Sequence, residues 1–378
     1  MINYQALITD LKAIGLSFFT GVPDSLLNDF CLALEVSCGK NNIIAANEGN
    51  AIGIAAGHYL ATGHIPVVYM QNSGIGNAMN PLISLTHRNV YSIPMILVIG
   101  WRGDPEINDH AQHKKQGELT TVLMNDMDIP YRILYNENTV LDNFKWAAAE
   151  ATHLETPVAL IVKKGILSKA KKENPYPDEG EMMNREDAMD AVFDQMPDDT
   201  VYYATTGRAT RELHEMFVKR DLQPNREFLN VGSMGHNSSV ALGMAMALPE
   251  RHHVVFDGDA ATLMHLGAMP IIGKAHPKRF MHIVLNNGVH ESVGGQISAG
   301  FNANLTEIAK GSGYITCNRC IEDPQELKAT VAALKDADGP VFIEVKIRKG
   351  IRSRIPGLKI DLMQARKDLM NIVRNSND

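Results

Sequence analysis

Cysteine is scarce. Cys31, Cys38, Cys317 and Cys320 are the four in 378 residues, too few for a disulfide framework in a chain of this length. Cys317-Asn-Arg-Cys320 has redox or zinc spacing, yet no second Cys or His pair follows nearby to complete a site. No apolar run approaches the roughly 18 residues of a helical membrane span, so no membrane partner is expected. The opening segment MINYQALITDLKAIG lacks the basic start and apolar centre of a secretory leader. It reads instead as an amphipathic helix carrying Asp10 and Lys12. Positive charge is also in deficit. The formal net charge of −7 excludes a large nucleic-acid-binding surface and leaves room only for local basic pockets. At 45% hydrophobic and 21% charged residues, the composition is that of a globular protein. The expectation is a reduced, cytoplasmic chain long enough for two domains.

Short apolar runs alternate with helical patterns through both halves. SFFTGV (17–22), IPVVYMQN (65–72), PMILVIG (94–100) and PVALIVKK (157–164) read as strands of the first half. TVYYATT, EFLNVG, HHVVFDGD, RFMHIVLNN and PVFIEVKI read as strands of the second, with VALGMAMAL and ATLMHLGAMPIIGKA as helices between them. Such alternation predicts α/β architecture, two parallel sheets each flanked by helices. Between the halves the composition turns charged and Pro-bearing. This places domains at 1–168 and 188–378 with a linker at 169–187, and no middle domain.

Ligands of open parallel sheets bind beyond the carboxyl ends of the strands. Two such ends are rich in oxygen donors. HHVVF runs into Asp257-Gly258-Asp259-Ala260-Ala261, and MHIVL runs into Asn286-Asn287-Gly288. A carboxylate, an amide oxygen and a backbone carbonyl form a hard half-shell that suits Mg²⁺ or Ca²⁺ with a phosphate completing it. Small residues at 258, 260 and 261 admit the phosphate to a helix N-terminus. Taken separately, these are ordinary turn residues; on consecutive strands they are far more specific.

The segment IIAANEGNAIGIAAGHYLATG (43–63) poses a different problem. Glu48 is its one acid, and it has no Lys, Arg or Asp. A carboxylate among closely packed small residues is costly unless compensated.

GDA followed by LNNGVHE resembles the metal–diphosphate signature of thiamine-diphosphate enzymes, with Asp259 and Asn287 standing 28 positions apart (287 − 259). Ala260 replaces the usual third Gly. The resemblance implies thiamine diphosphate and Mg²⁺ as cofactors, with Asp259, Asn287 and the carbonyl of Val289 on the metal and Gly258, Ala260 and Ala261 near the diphosphate. LNVGSMGHNSSVALGMAMALP (229–249) resembles the family segment that receives the aminopyrimidine. Gly232 and Ser233 would line it, and Met234 would wedge the cofactor into its bent form. Arg208 would sit near the diphosphate. Glu48, with Ala51, Ala55 and Gly57, matches the family's E-x-x-A-x-x-x-A-x-G pattern, in which the Glu carboxyl shares a proton with the pyrimidine and burial raises its pKa. Because Glu48 and the diphosphate segment lie in different domains, the resemblance also implies self-association, with the active site at a subunit interface.

FFTGVPDSLLNDF, QNSGIGNAMNPL, IGWRGDPEINDHAQHKKQG and LNNGVHESVGGQ resemble compact family members that decarboxylate a small anionic 2-keto acid. Candidate anion-binding residues are Ser25, Ser73, Gly74, Arg102, Lys114 and Lys115. Candidate proton-transfer residues are Asp24, His110 and His113, in loops that also carry Asp104 and Asp109. Family carboligases share the cofactor motifs, and product analysis with pyruvate alone separates them. The segment from Gly350 to Asp378 is basic at first and then helical.

Overall fold

The computed structural model describes residues 2–168, 182–222, 226–350 and 355–375. Most of the expected linker (169–181) and the basic start of the C-terminal segment (351–354) lie outside the described residues. The chain separates into two compact units, Met1–Glu173 with His290–Gln296 and Asn174–Val289 with Ile297–Asp378.

The first unit holds six parallel strands: β1 (Phe19–Gly21), β2 (Asn42–Ile44), β3 (Val67–Gln71), β4 (Ile96–Gly100), β5 (Tyr131–Leu134) and β6 (Val158–Val162). Their order is β2-β1-β3-β4-β6-β5. Helices α1 (Tyr4–Ala13), α2 (Asn28–Cys38), α3 (Glu48–Thr62), α4 (Ile75–Pro81), α5 (Ala111–Asp126) and α6 (Val140–Leu154) connect them. The second unit repeats the plan with β7 (Val201–Ala204), β8 (Glu227–Leu229), β9 (His253–Gly258) and β10 (Phe280–Asn286). A two-stranded ribbon, β11 (Val289–His290) and β12 (Gln296–Ile297), precedes β13 (Ile315–Thr316) and β14 (Val341–Lys346). Its six-stranded order, β8-β7-β9-β10-β14-β13, is the same permutation as in the first unit once the ribbon is set aside. Its helices are α7 (Arg185–Phe193), α8 (Arg208–Lys219), α9 (Asn237–Ala247), α10 (Asp259–Met264), α11 (Ala268–Ala275), α12 (Leu305–Gly311), α13 (Pro324–Leu334) and α14 (Leu362–Asn375).

Alternation along the central strands explains the two-sided cores. On β9, Val254 and Phe256 face one apolar cluster with Tyr202 and Ile283, while Val255 faces another with Tyr203 and Phe342. On β4, Ile96 and Val98 pack with Phe19 and Phe144, whereas Leu97 and Ile99 pack with Met70 and Ile161. Edge strands β2 and β5 are short and only partly buried, so they lack the apolar run that marks the central strands. The segment expected as one helix at 261–275 is two, α10 and α11, separated at His265–Gly267. Pro270 in the first turn of α11 has no N–H, and its ring would clash with the carbonyl of Leu266 in a continuous helix.

Candidate active site

Glu48 is the first residue of α3, capped by Asn47, whose side chain accepts from the Asn50 N–H at 2.9 Å. The Glu48 side chain is buried, 5% exposed. Asn77 Nδ2, from α4, donates to Glu48 Oε2 at 2.7 Å. A Cβ on Gly74 would collide with the Glu48 Oε1, Cδ and Cγ atoms, so the loop backbone lies directly against the carboxyl group. Burial pushes the Glu48 carboxyl above its ordinary pKa, against the opposing pull of the Asn77 hydrogen bond. Close packing by small residues thus keeps this carboxyl protonatable.

The Gln71–Gly74 loop at the end of β3 also touches Asp24 and the backbone of Arg102. Gln71 Nε2 donates to Asp24 Oδ1 at 2.6 Å, and Ser73 Oγ donates to Gln71 Oε1 at 2.8 Å. Asp24, at the end of β1, is completely buried and accepts the Leu26 N–H at 3.1 Å. Burial raises its pKa, with the Gln71 hydrogen bond foremost among the opposing effects. Asn72 grips the backbone of Arg102 from both sides: its Nδ2 donates to the Arg102 carbonyl at 2.8 Å, and its Oδ1 accepts the Arg102 N–H at 3.1 Å.

Arg102 follows β4 and meets Asp109 in a two-pronged ion pair, Nε to Oδ2 at 2.8 Å and Nη2 to Oδ1 at 2.7 Å. The Gly103 and His110 N–H groups also donate to Asp109, at 2.9 and 2.8 Å. These donors outweigh desolvation and hold the Asp109 carboxyl far below its usual range. Arg102 Nη1 points toward Ser25 Oγ at 3.4 Å. Ser25, Leu26, Trp101, Arg102, Asp109 and Lys164 line a cavity of ≈ 190 Å³ within this unit. His113, in the first turn of α5, is partly buried, and burial together with Arg102 lowers its pKa to about 4. His110 caps α5 through its backbone and is exposed. Lys114 and Lys115 are exposed on α5, with Lys115 paired to Glu118 at 2.9 Å. Asp104 is buried and pairs with Lys163 at 3.3 Å.

In the second unit, Asp259 begins α10 at the end of β9 and is 2% exposed. The Ser298 hydroxyl donates to its Oδ2, and backbone N–H groups of Asn287 and Ala260 also face it. Burial still raises the Asp259 pKa, a condition that a cation would reverse. Gly300 has no Cβ because one would collide with Asp259 Oδ2. Asn286 is fully buried and fully engaged: it donates to the Gly300 carbonyl at 2.9 Å and to Glu344 Oε1 at 2.8 Å, and its Oδ1 accepts the Gly288 N–H. Asn287 turns its Oδ1 to the Val289 N–H at 3.2 Å. Among the described residues no cluster of three His, Cys, Asp or Glu forms a metal site; a carboxylate–amide–carbonyl set is a different, oxygen-only solution.

Upstream, Gly232, Ser233 and Met234 form the loop after β8, with Ser233 at φ 47°. Asn237, which opens α9, is completely buried with both Oδ1 and Nδ2 lacking a protein partner. A buried amide with two unmet hydrogen bonds calls for a polar partner. Arg208 is partly buried at the start of α8. The hard oxygen donors beside Asp259 and the orphaned Asn237 amide fit a metal–diphosphate group with a polar heterocycle.

Gln71, Asn72, Asn77, Lys164, Ser298 and Asn237 were not singled out from the sequence. Asn77 has a visible signal in its position three residues beyond Gly74; the others depend on which strands lie side by side.

Comparison with known proteins agrees with this arrangement. The family model of the thiamine pyrophosphate enzyme N-terminal TPP binding domain matches residues 3–124, and that of the C-terminal TPP binding domain matches residues 206–345. Phosphonopyruvate decarboxylase of Streptomyces viridochromogenes is 30% identical over 367 residues, covering 93% of this chain and 89% of the relative. Its counterpart in Streptomyces hygroscopicus is 29% identical over 365 residues, covering 93% and 88%. Sulfopyruvate decarboxylase of Methanosarcina acetivorans is 31% identical over 320 residues, covering 77% of each chain. No helix among the described residues is long and apolar enough to cross a membrane. The chain belongs to the thiamine-pyrophosphate-dependent enzyme family, as one of its decarboxylases.

Proposed function

We propose that this enzyme decarboxylates phosphonopyruvate to phosphonoacetaldehyde and CO₂, using thiamine diphosphate and Mg²⁺, in the biosynthesis of phosphonates. The observation that carries this reading is the Arg102 cavity: a guanidinium oriented by Asp109, a hydroxyl from Ser25 and the exposed residue Lys164 line a space of ≈ 190 Å³. Such donors suit a tetrahedral oxyanion. The similarity to two phosphonopyruvate decarboxylases across 93% of the chain supports the same choice.

When bound, the cofactor's thiazolium supplies the electron sink for the bond broken as CO₂ leaves. The chain's own residues supply the rest. Glu48 would share a proton with the pyrimidine, its raised pKa suiting it to that exchange. Asp259, Asn287 and the Val289 carbonyl would hold Mg²⁺, with Gly258, Ala260 and Ala261 leaving space for the diphosphate. Gly232, Ser233 and Met234 would receive the pyrimidine ring. Arg102 and Ser25 would hold the phosphonate, with Ser73 and Gly74 beside the keto acid. Asp24, which burial inclines to hold a proton, would protonate the carbon that loses CO₂. His113 is neutral at assay pH and could accept a proton as the aldehyde departs. Self-association would bring the Glu48 segment of one copy to the Asp259 segment of another; full activity from a monomer in solution would sink that part.

Sulfopyruvate is the second reading, favoured by the Methanosarcina relative at 31% identity. Aldehyde formation from the two acids, measured side by side with thiamine diphosphate and Mg²⁺, decides between them. Preference for sulfopyruvate would overturn the phosphonate assignment.

A further inference from the structure

We propose that Lys164 is the residue through which this cavity tells a dianionic phosphonate from a monoanionic sulfonate. The inference rests on the substrate reading above. Both groups present three oxygens in a tetrahedral array, so donors that read shape treat them alike. What differs is one unit of charge.

The strand arrangement places Lys164 where that charge is read. β4 and β6 are neighbours with Gly100 opposite Val162, and the Trp101 N–H donates to the Val162 carbonyl at 2.9 Å. The two chains therefore leave the sheet together, one carrying Arg102 and the other Lys163 and Lys164. Lys163 turns to Asp104 and Glu106 and is paired with both. Lys164 lines the cavity instead, and among the described residues it forms no ion pair.

Arg102 does not supply the discriminating charge. Its guanidinium is matched by Asp109 through two hydrogen bonds of 2.8 and 2.7 Å. The pair as a unit is neutral and offers directional N–H groups. The uncompensated cation of the lining is Lys164. Leu26 and Trp101, both buried, form apolar walls of the cavity, while the Lys164 side chain is exposed, so that its charge is read at the cavity's solvent-facing side.

The test is binding of phosphonoacetate and sulfoacetate, by calorimetry, to the thiamine-diphosphate- and Mg²⁺-loaded protein at about pH 9, because a phosphonate loses its second proton at higher pH than the pH of about 6 of a phosphate ester. Unaltered protein should bind phosphonoacetate at least about tenfold more tightly than sulfoacetate. Lys164→Gln should shrink that preference below about threefold by weakening phosphonoacetate more than sulfoacetate, and Lys164→Arg should restore it. An absent preference in the unaltered protein, an unchanged one in Lys164→Gln, or equal loss of both anions would overturn the proposal. If this pattern holds while phosphonopyruvate is not turned over, the substrate reading fails and the role of Lys164 stands.

Discussion

The two units share one strand permutation and put opposite kinds of chemistry at matching strand ends. In the first unit, the ends of β1, β2 and β4 lead to Asp24, Glu48 and Arg102, side chains that hold protons or charge, and the end of β3 leads to Gln71, whose amide orients Asp24. In the second, the corresponding ends lead to Arg208, the Gly232–Asn237 loop, Asp259 and Asn287, where backbone N–H groups and amide oxygens predominate. On the proposed function, one scaffold serves as an acid-base surface and the other as an anion-and-metal cradle. The difference teaches that the parallel sheet determines where chemistry sits while the loops determine which chemistry it is.

The contrast should break most sharply at Glu48. Glu48→Gln keeps the shape and removes the exchangeable proton, so turnover should fall about 10³-fold, within the range of general acid–base contributions. Cofactor binding, followed by calorimetry, should change far less; unchanged turnover would remove Glu48 from the chemistry. In the second unit, Asp259→Ala should act on binding instead. Affinity for thiamine diphosphate in the presence of Mg²⁺ should drop about 10²-fold, with the cofactor-induced rise in Tm lost. Full thermal stabilisation by the cofactor in that variant would contradict the cradle reading.

A pair of glycine substitutions sharpens the comparison further. Gly74→Ala drives a methyl into the Glu48 carboxyl, so it should destabilise even the cofactor-free protein by about 1–3 kcal/mol. A Cβ on Gly258 meets nothing within 4 Å. Gly258→Ala should therefore leave the cofactor-free Tm nearly unchanged and weaken only cofactor binding. Thermal melts with and without thiamine diphosphate check both.

The smallest effect is on stability against pH. The folded-state pKa of Glu48 lies above its unfolded value, so its contribution to stability is fully present below the unfolded pKa of about 4.3 and is lost as pH rises through the folded value. Glu48→Gln, which cannot ionise, should therefore melt a few degrees higher than the unaltered cofactor-free protein near neutral pH. The two should converge on acidification toward pH 4. A constant difference across that window would assign the effect to packing rather than ionisation.

Both domains were legible because central strands such as β4, β6, β9 and β10 are buried on both faces and read as continuous apolar runs. β2 and β5 were not, since an edge strand with partly exposed positions carries no such run. Asp259 and Asn287 stood out because they end adjacent strands, so their motifs could be read together. Gln71 and Lys164 stay hidden in the sequence for the converse reason. Asp24, which Gln71 bonds, and Arg102, which shares a cavity with Lys164, follow other strands, 47 and 62 residues away (71 − 24 and 164 − 102). Only the permutation that sets β3 beside β1 and β6 beside β4 brings them together.

The Glu48–Gly74 contact has one more consequence. A free glutamate side chain samples many rotamers, and fixing one costs up to about 1.5–2 kcal/mol of conformational entropy. Here the Gly74 backbone and the Asn77 amide confine the carboxyl before any ligand arrives. The ordering is therefore completed when the chain folds, and the binding step meets an acid already aimed.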